Sequence, residues 1–154
     1  MSSAAEQLAA LGLTLPPVTA PVAAYVPAVR TGSYVYVSGQ LPVVDGKLPA
    51  TGKVGDAVSA QDAASMARTC ALNALAAAAD AAGGLDAIVR IVKVLGFVAS
   101  APGFNGQPQV VNGASELLIE VFGEAGRHAR SAVGVAELPL DAPVEVELIA
   151  EVRA

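Results

Sequence analysis

Only one cysteine, Cys70, occurs in the 154 residues. A lone thiol excludes an intrachain disulfide and any zinc site built from several cysteines. It also points to a reducing, cytoplasmic setting. Basic residues are few and scattered: nine Lys and Arg against fourteen Asp and Glu, a net charge of −5. That argues against nucleic-acid partners, which need clustered cations to displace counterions from phosphate, and equally against an anionic membrane surface. No long apolar run exists either. The mean hydropathy of +0.56 is spread over alanine and valine. The best candidate, 88–99, carries Arg90 and Lys93 and falls short of the ~20 residues a spanning helix needs. The opening MSSAAEQLAALGL holds Glu6 and lacks the basic start of a secretion signal. The expectation is one soluble cytoplasmic domain, long enough to bury a core without staples.

Along the chain, 3–11 suits a short helix stopped at Gly12. Four prolines in the following TLPPVTAPVAAYVPAV forbid a long helix or a central strand, leaving an extended arm on the surface. Residues 34–38 read as a strand broken at Gly39, with a second short strand expected around Val43, Val44 and the Asp45-Gly46 turn. Ser59 caps the clearest helix, which ends at Gly83-Gly84. Its polar stripe is Asp62, Thr69, Asn73 and Asp80, opposite a small face of Ala67, Cys70, Ala71, Ala74 and Ala78. The β-branched run 88–98 predicts a long buried strand. Helical spacing follows from Val110 to Phe122, then strands over 131–138 and 144–152 joined by a proline turn. The order β-β-α-β-α-β-β predicts an α+β fold, a mostly antiparallel sheet with two helices on one face. In the last strand, Val144, Val146, Leu148, Ala150 and Val152 alternate with Glu145, Glu147, Ile149 and Glu151. The first set must meet the helices, so the glutamate face points away, to water or to another subunit.

Most motif tests fail. GKLPATGK, from Gly46 to Lys53, has one residue too many between its glycines, and Val54 stands where a phosphate loop needs Ser or Thr. No G-x-G-x-x-G follows a strand. With His128 as the only histidine, H-E-x-x-H cannot be written, and a His128–Ser131–Asp141 triad has no G-x-S-x-G elbow. Cys70, mid-helix among alanines, reads as inert packing. What remains is Arg130 just before a strand, with Glu145 fifteen residues on, in the strand taken to be its neighbour. Spacing alone leaves two readings. They form a structural ion pair, or the arginine fork clamps a ligand carboxylate while the glutamate orders water or moves a proton.

In order along the chain, AYVPAVRTG, YVSGQLP, a helix ending in AGG, Asn112, ARSAVGVAELP and VEVELIA resemble the RidA/YjgF family of enamine/imine deaminases, whose members also carry translation-inhibitor or endoribonuclease labels. The likeness runs from about Tyr25 to the end, dividing the chain into an N-terminal helix and proline-rich arm over 1–24 and one domain over 25–154. It implies a chorismate-mutase-like fold and a homotrimer with clefts between subunits. It also implies hydrolysis of a 2-imino acid to a 2-keto acid and ammonia, without metal or organic cofactor. On this resemblance Arg130 clamps the substrate carboxylate and Glu145 orients the attacking water, while Tyr25, Ser38, Gly39, Asn112 and Ala132 line or shape the cleft. The residues themselves allow plainer roles: packing for Tyr25, a bulge for Ser38 and Gly39, a helix cap for Asn112. The chain departs from the family pattern at His128, where proline is common, and at Ala132, where cysteine or a similar residue is common. The alternative function is a non-catalytic trimer that binds a small carboxylate metabolite.

Overall fold

The computed structural model describes residues 1–18, 21 and 23–154. Its elements are α1 (Ala4–Ala10), β1 (Ala28–Thr31), β2 (Tyr34–Gln40), α2 (Ala60–Ala82), β3 (Ile88–Ala99), α3 (Gln107–Phe122), β4 (Ala129–Val135) and β5 (Val144–Val152). The five strands form one sheet in the order β1-β2-β5-β3-β4. All pairs are antiparallel except β3 with β4. Helices α2 and α3 pack side by side on one face, the α+β arrangement expected.

Local chemistry explains the helices. Ser3 caps α1 in a reciprocal capping box with Glu6. In α2 the Ser59 hydroxyl accepts from the Asp62 amide, and Gly83 closes the helix in the left-handed conformation at φ +91°. The small face of α2, Ala67, Cys70, Ala71, Ala74 and Ala78, is fully buried, so the helix lies close on β2 and β5. The polar side of α2 does more than meet solvent: Asn73 donates to the carbonyls of Leu41 and Val43, 3.0 and 3.1 Å away, and ties down the segment after β2. Gly113 lets α3 touch α2, since a Cβ there would collide with the Ala64 carbonyl.

Two expectations need correction. No sheet strand forms around Val43 and Val44; Val44 makes only an isolated bridge to Lys47. The partner of β2 is β1, which precedes it and falls partly within the supposed arm. An edge strand needs one ladder only, so prolines just before it are tolerated. The rest of that arm includes residues 19, 20 and 22, outside the described residues. Second, β4 and β5 are not neighbours. The chain leaves β3 through α3 and returns as β4 parallel to it, as a crossover helix allows. Then the turn at Pro139–Asp141, with Leu140 and Asp141 at positive φ, sends β5 to the other side of β3.

The faces of β5 alternate as predicted. Val144, Val146, Leu148, Ala150 and Val152 are buried under the helices, and the residues between them are half-buried. The open face mixes the charged Glu145, Glu147, Glu151 and Lys93 with apolar side chains, of which Val29, Tyr34, Tyr36 and Val133 are exposed. A cavity of about 280 Å³ opens there among Tyr36, Lys93, Leu95, Glu147 and Ile149. No helix among the described residues is long and apolar enough to cross a membrane.

Candidate functional site

The seven candidate residues separate into two groups. Arg130 and Ala132 lie on β4 at the positions that pair with Val94 and Gly96 of β3. Val94 is fully buried, so this stripe faces the helix layer. There Arg130 Nη1 donates to Asn112 Oδ1 at 2.7 Å and to Ser115 Oγ at 3.3 Å, both on α3. Ala132 packs against the edge of the core. Asn112 is not a cap: α3 starts five residues earlier, at Gln107, with Gly106 in the cap position.

Glu145 forms the second group. It pairs with Phe97 of β3, three residues beyond Val94 and therefore on the opposite sheet face. Gly39 lies against its carboxyl group, and a Cβ on that glycine would stand 3.1 Å from each carboxylate oxygen. Ser38 and Gly39 are a bulge, with the β2–β5 register shifting between Val37 and Gln40. The bulge is pinned from outside: the Ser38 hydroxyl donates to the Val26 carbonyl at 2.7 Å and its amide to the Pro27 carbonyl at 2.8 Å. That bond holds the segment next to Tyr25, whose own ring is exposed.

Burial raises the Glu145 carboxyl above its ordinary value, and the charge of Glu147 pushes it the same way. Such a shift suits a group that exchanges protons near neutral pH. Arg130 takes part in none of the three ion pairs among the described residues. Within one chain Arg130 and Glu145 do not pair: β3 stands between their strands, two spacings or about 10 Å, and they point to opposite faces.

The discarded motifs are accounted for by the fold. Lys53 pairs with Glu137 at 2.8 Å and with the Ala136 carbonyl, so the Gly46–Lys53 segment is a turn and strut. His128 does meet a hydroxyl, but that of Ser115, with its Nε2 at 2.8 Å, and not Ser131 or Asp141. Ser115 escaped sequence reading. Its signal was its place one turn after Asn112, a lone polar position in the stripe Val111, Ala114, Leu118. Burial pushes the Cys70 thiol well up, with Glu145 adding to it, which leaves it inert.

The model of the YjgF/chorismate mutase-like family, whose description also carries the word endoribonuclease, matches residues 5–152. The chain belongs to that family. The YjgF-like match starts within α1, ahead of the stretch from Tyr25 on which the resemblance was read. Among relatives, Protein TCP17 of Trypanosoma cruzi is 45% identical over 150 residues, 97% of this chain and 94% of its own length. The crystal structure of Atu1372 from Agrobacterium tumefaciens, a protein of unknown function, matches with TM-score 0.88 and 48% identity over 96% of this chain and 91% of that one. TdcF of E. coli, solved with bound serine, matches with TM-score 0.65 and 30% identity over 91% of this chain and 94% of its own.

Proposed function

We propose that this YjgF-family chain hydrolyses 2-imino acids, and their enamine tautomers, to 2-keto acids and ammonia. The observation that carries the reading is the state of Arg130. Its guanidinium is anchored through Nη1 by two neutral side chains and takes part in no ion pair among the described residues. A fixed cation with donors to spare is suited to a ligand carboxylate. Glu145, its carboxyl raised by burial, takes a proton from a water, whose oxygen bonds to the imine carbon. That proton passes to nitrogen, giving a carbinolamine; the proton of its new hydroxyl then moves to nitrogen as the carbon–nitrogen bond breaks, leaving the keto group and releasing ammonia. Imines hydrolyse unaided in water, so holding a carboxylate and a water in line is enough to accelerate the step.

Because Arg130 and Glu145 face opposite sides of one sheet, the site takes one from each of two copies. The open face supports this, since Val29, Tyr34 and Tyr36, exposed side by side on β1 and β2, are the kind of surface that association covers. A cyclic homotrimer, with three clefts between subunits, meets the requirement that each copy offers both halves.

A second reading, a carboxylate-binding trimer without turnover, is favoured by one observation: TdcF was solved holding serine, an amino acid and not an imine. A ribonuclease role is poorly served by a chain of net charge −5.

The deciding experiment generates imines in place with an amino-acid oxidase and follows ammonia or keto-acid release. Acceleration by the wild type that is lost in Arg130→Ala supports deamination. Equal activity in the two proteins overturns it. Stabilisation by pyruvate without any acceleration moves the function to binding.

A further inference from the structure

Ser115 is the one buried polar side chain among the described residues, and it stands between a histidine and Arg130. Gly126 brings them together. A Cβ at that position would strike the Leu118 carbonyl of α3, so glycine alone lets the turn before β4 lie this close. His128 then follows with Nδ1 2.7 Å from the Gly126 carbonyl and Nε2 2.8 Å from Ser115 Oγ.

The chemistry of these atoms sets the direction of every bond. A carbonyl only accepts, so Nδ1 carries the ring proton. In the neutral ring Nε2 must accept, and the Ser115 hydroxyl donates to it. The lone pairs of Ser115 remain for Arg130 Nη1, 3.3 Å away. The other Nη1 hydrogen goes to Asn112 Oδ1. Both hydrogens of Nη1 are thereby committed. The donors left are Nε–H and the Nη2 pair, and Nε–H lies parallel to one Nη2–H in a fork that fits a carboxylate.

We propose that His128 and Ser115 are positioning residues, a one-way hydrogen-bond relay that turns the Nε/Nη2 edge of Arg130 toward the incoming carboxylate; this rests on the reading of Arg130 as the carboxylate clamp. A serine hydroxyl given to a histidine is also the geometry of an activated nucleophile. Here the hydroxyl is buried and faces a guanidinium, so it orients and does not attack. Burial holds the imidazole below its ordinary range, against the opposing pull of the Gly126 carbonyl, and the Arg130 charge adds to the lowering. The ring therefore stays neutral at neutral pH and keeps Nε2 as the acceptor that the relay requires. Of the elements around it, β4 contributes the charge of Arg130, α3 only the hydroxyl of Ser115, and the turn only the Gly126 carbonyl.

The only histidine of the chain makes the test clean. In the ¹⁵N-labelled full-length protein, the imidazole nitrogens at neutral pH should report the Nδ1–H tautomer. The Nε2–H tautomer, or an imidazolium, overturns the relay. Pyruvate serves as the carboxylate probe. Its addition should shift the Nε2 resonance in the wild type and leave it unmoved in Ser115→Ala. Pyruvate affinity should fall about tenfold in Ser115→Ala and in His128→Ala, the size of one hydrogen bond to a charged group. His128→Gln, whose amide oxygen can accept from Ser115, should recover most of it. If pyruvate binds all these variants like the wild type, the relay falls while the clamp stands. If pyruvate fails to bind the wild type, or binds Arg130→Ala equally well, the clamp falls and the role assigned to the relay falls with it.

Discussion

Gly39 and Glu145 touch: a Cβ on the glycine would stand 2.8 Å from Cδ of the glutamate. The backbone at Gly39 lies outside the left-handed region, so a methyl group there is opposed by the carboxyl group and not by conformational strain. Gly39→Ala must therefore push the carboxylate aside. The expected result is a fall of about 100-fold in kcat/KM for imine hydrolysis, the scale of a small misplacement in a reacting group, with little change in Tm. Normal turnover in Gly39→Ala would show that Glu145 needs no fixed position.

Arg130→Lys keeps the charge and removes the fork. Lysine is a point charge on a flexible stem, and it cannot serve Asn112, Ser115 and two carboxylate oxygens from one plane. Activity should fall on the order of 100-fold, about the value of a pair of charge-assisted bonds. Steady-state kinetics beside a thermal melt will separate this from unfolding, because the melt should move little.

Glu145 links stability to pH. Burial raises its folded carboxyl above the ordinary value of 4.5, so the folded state binds the proton more tightly than the unfolded chain. The stability this contributes is present below the unfolded value and is lost as pH rises through the folded one. Glu145→Gln should thus raise Tm at neutral pH, and the difference from wild type should close as pH falls toward 4.5. The same substitution should abolish turnover, since an amide takes no proton from water. A Tm gap that is constant with pH would contradict the linkage.

What could be read from the residues was local. The cap at Ser59, the stop at Gly83 and the alternation of 144–152 each follow from a few adjacent side chains, and the structure keeps them. What could not be read was long-range. Two consecutive strands joined by a short proline turn look like a hairpin, yet β3 separates them, because a parallel return through α3 leaves no periodic mark of its own. That one pairing moved Arg130 and Glu145 to opposite faces. Likewise β1 was concealed by the prolines before it, and the partner of His128 by the ordinariness of a serine inside a helix.

The opposite placement of Arg130 and Glu145 yields the sharpest prediction. If a working cleft takes Arg130 from one subunit and Glu145 from the next, then Arg130→Ala and Glu145→Gln chains are each inactive for different reasons. The first keeps a good Glu145 half and the second a good Arg130 half. Unfolding and refolding them together in equal amounts should restore activity, because some interfaces then join the two good halves. With random assembly in a ring, about one quarter of the clefts are complete, so activity should return to about that fraction of wild type. Each variant refolded alone should stay silent, and the mixture should run at three times the 15.3 kDa chain mass in light scattering. A trimeric mixture with no recovered activity would mean that both residues act within one chain, against the sheet geometry. Recovery at a mass other than trimeric would keep the shared cleft and discard the threefold ring.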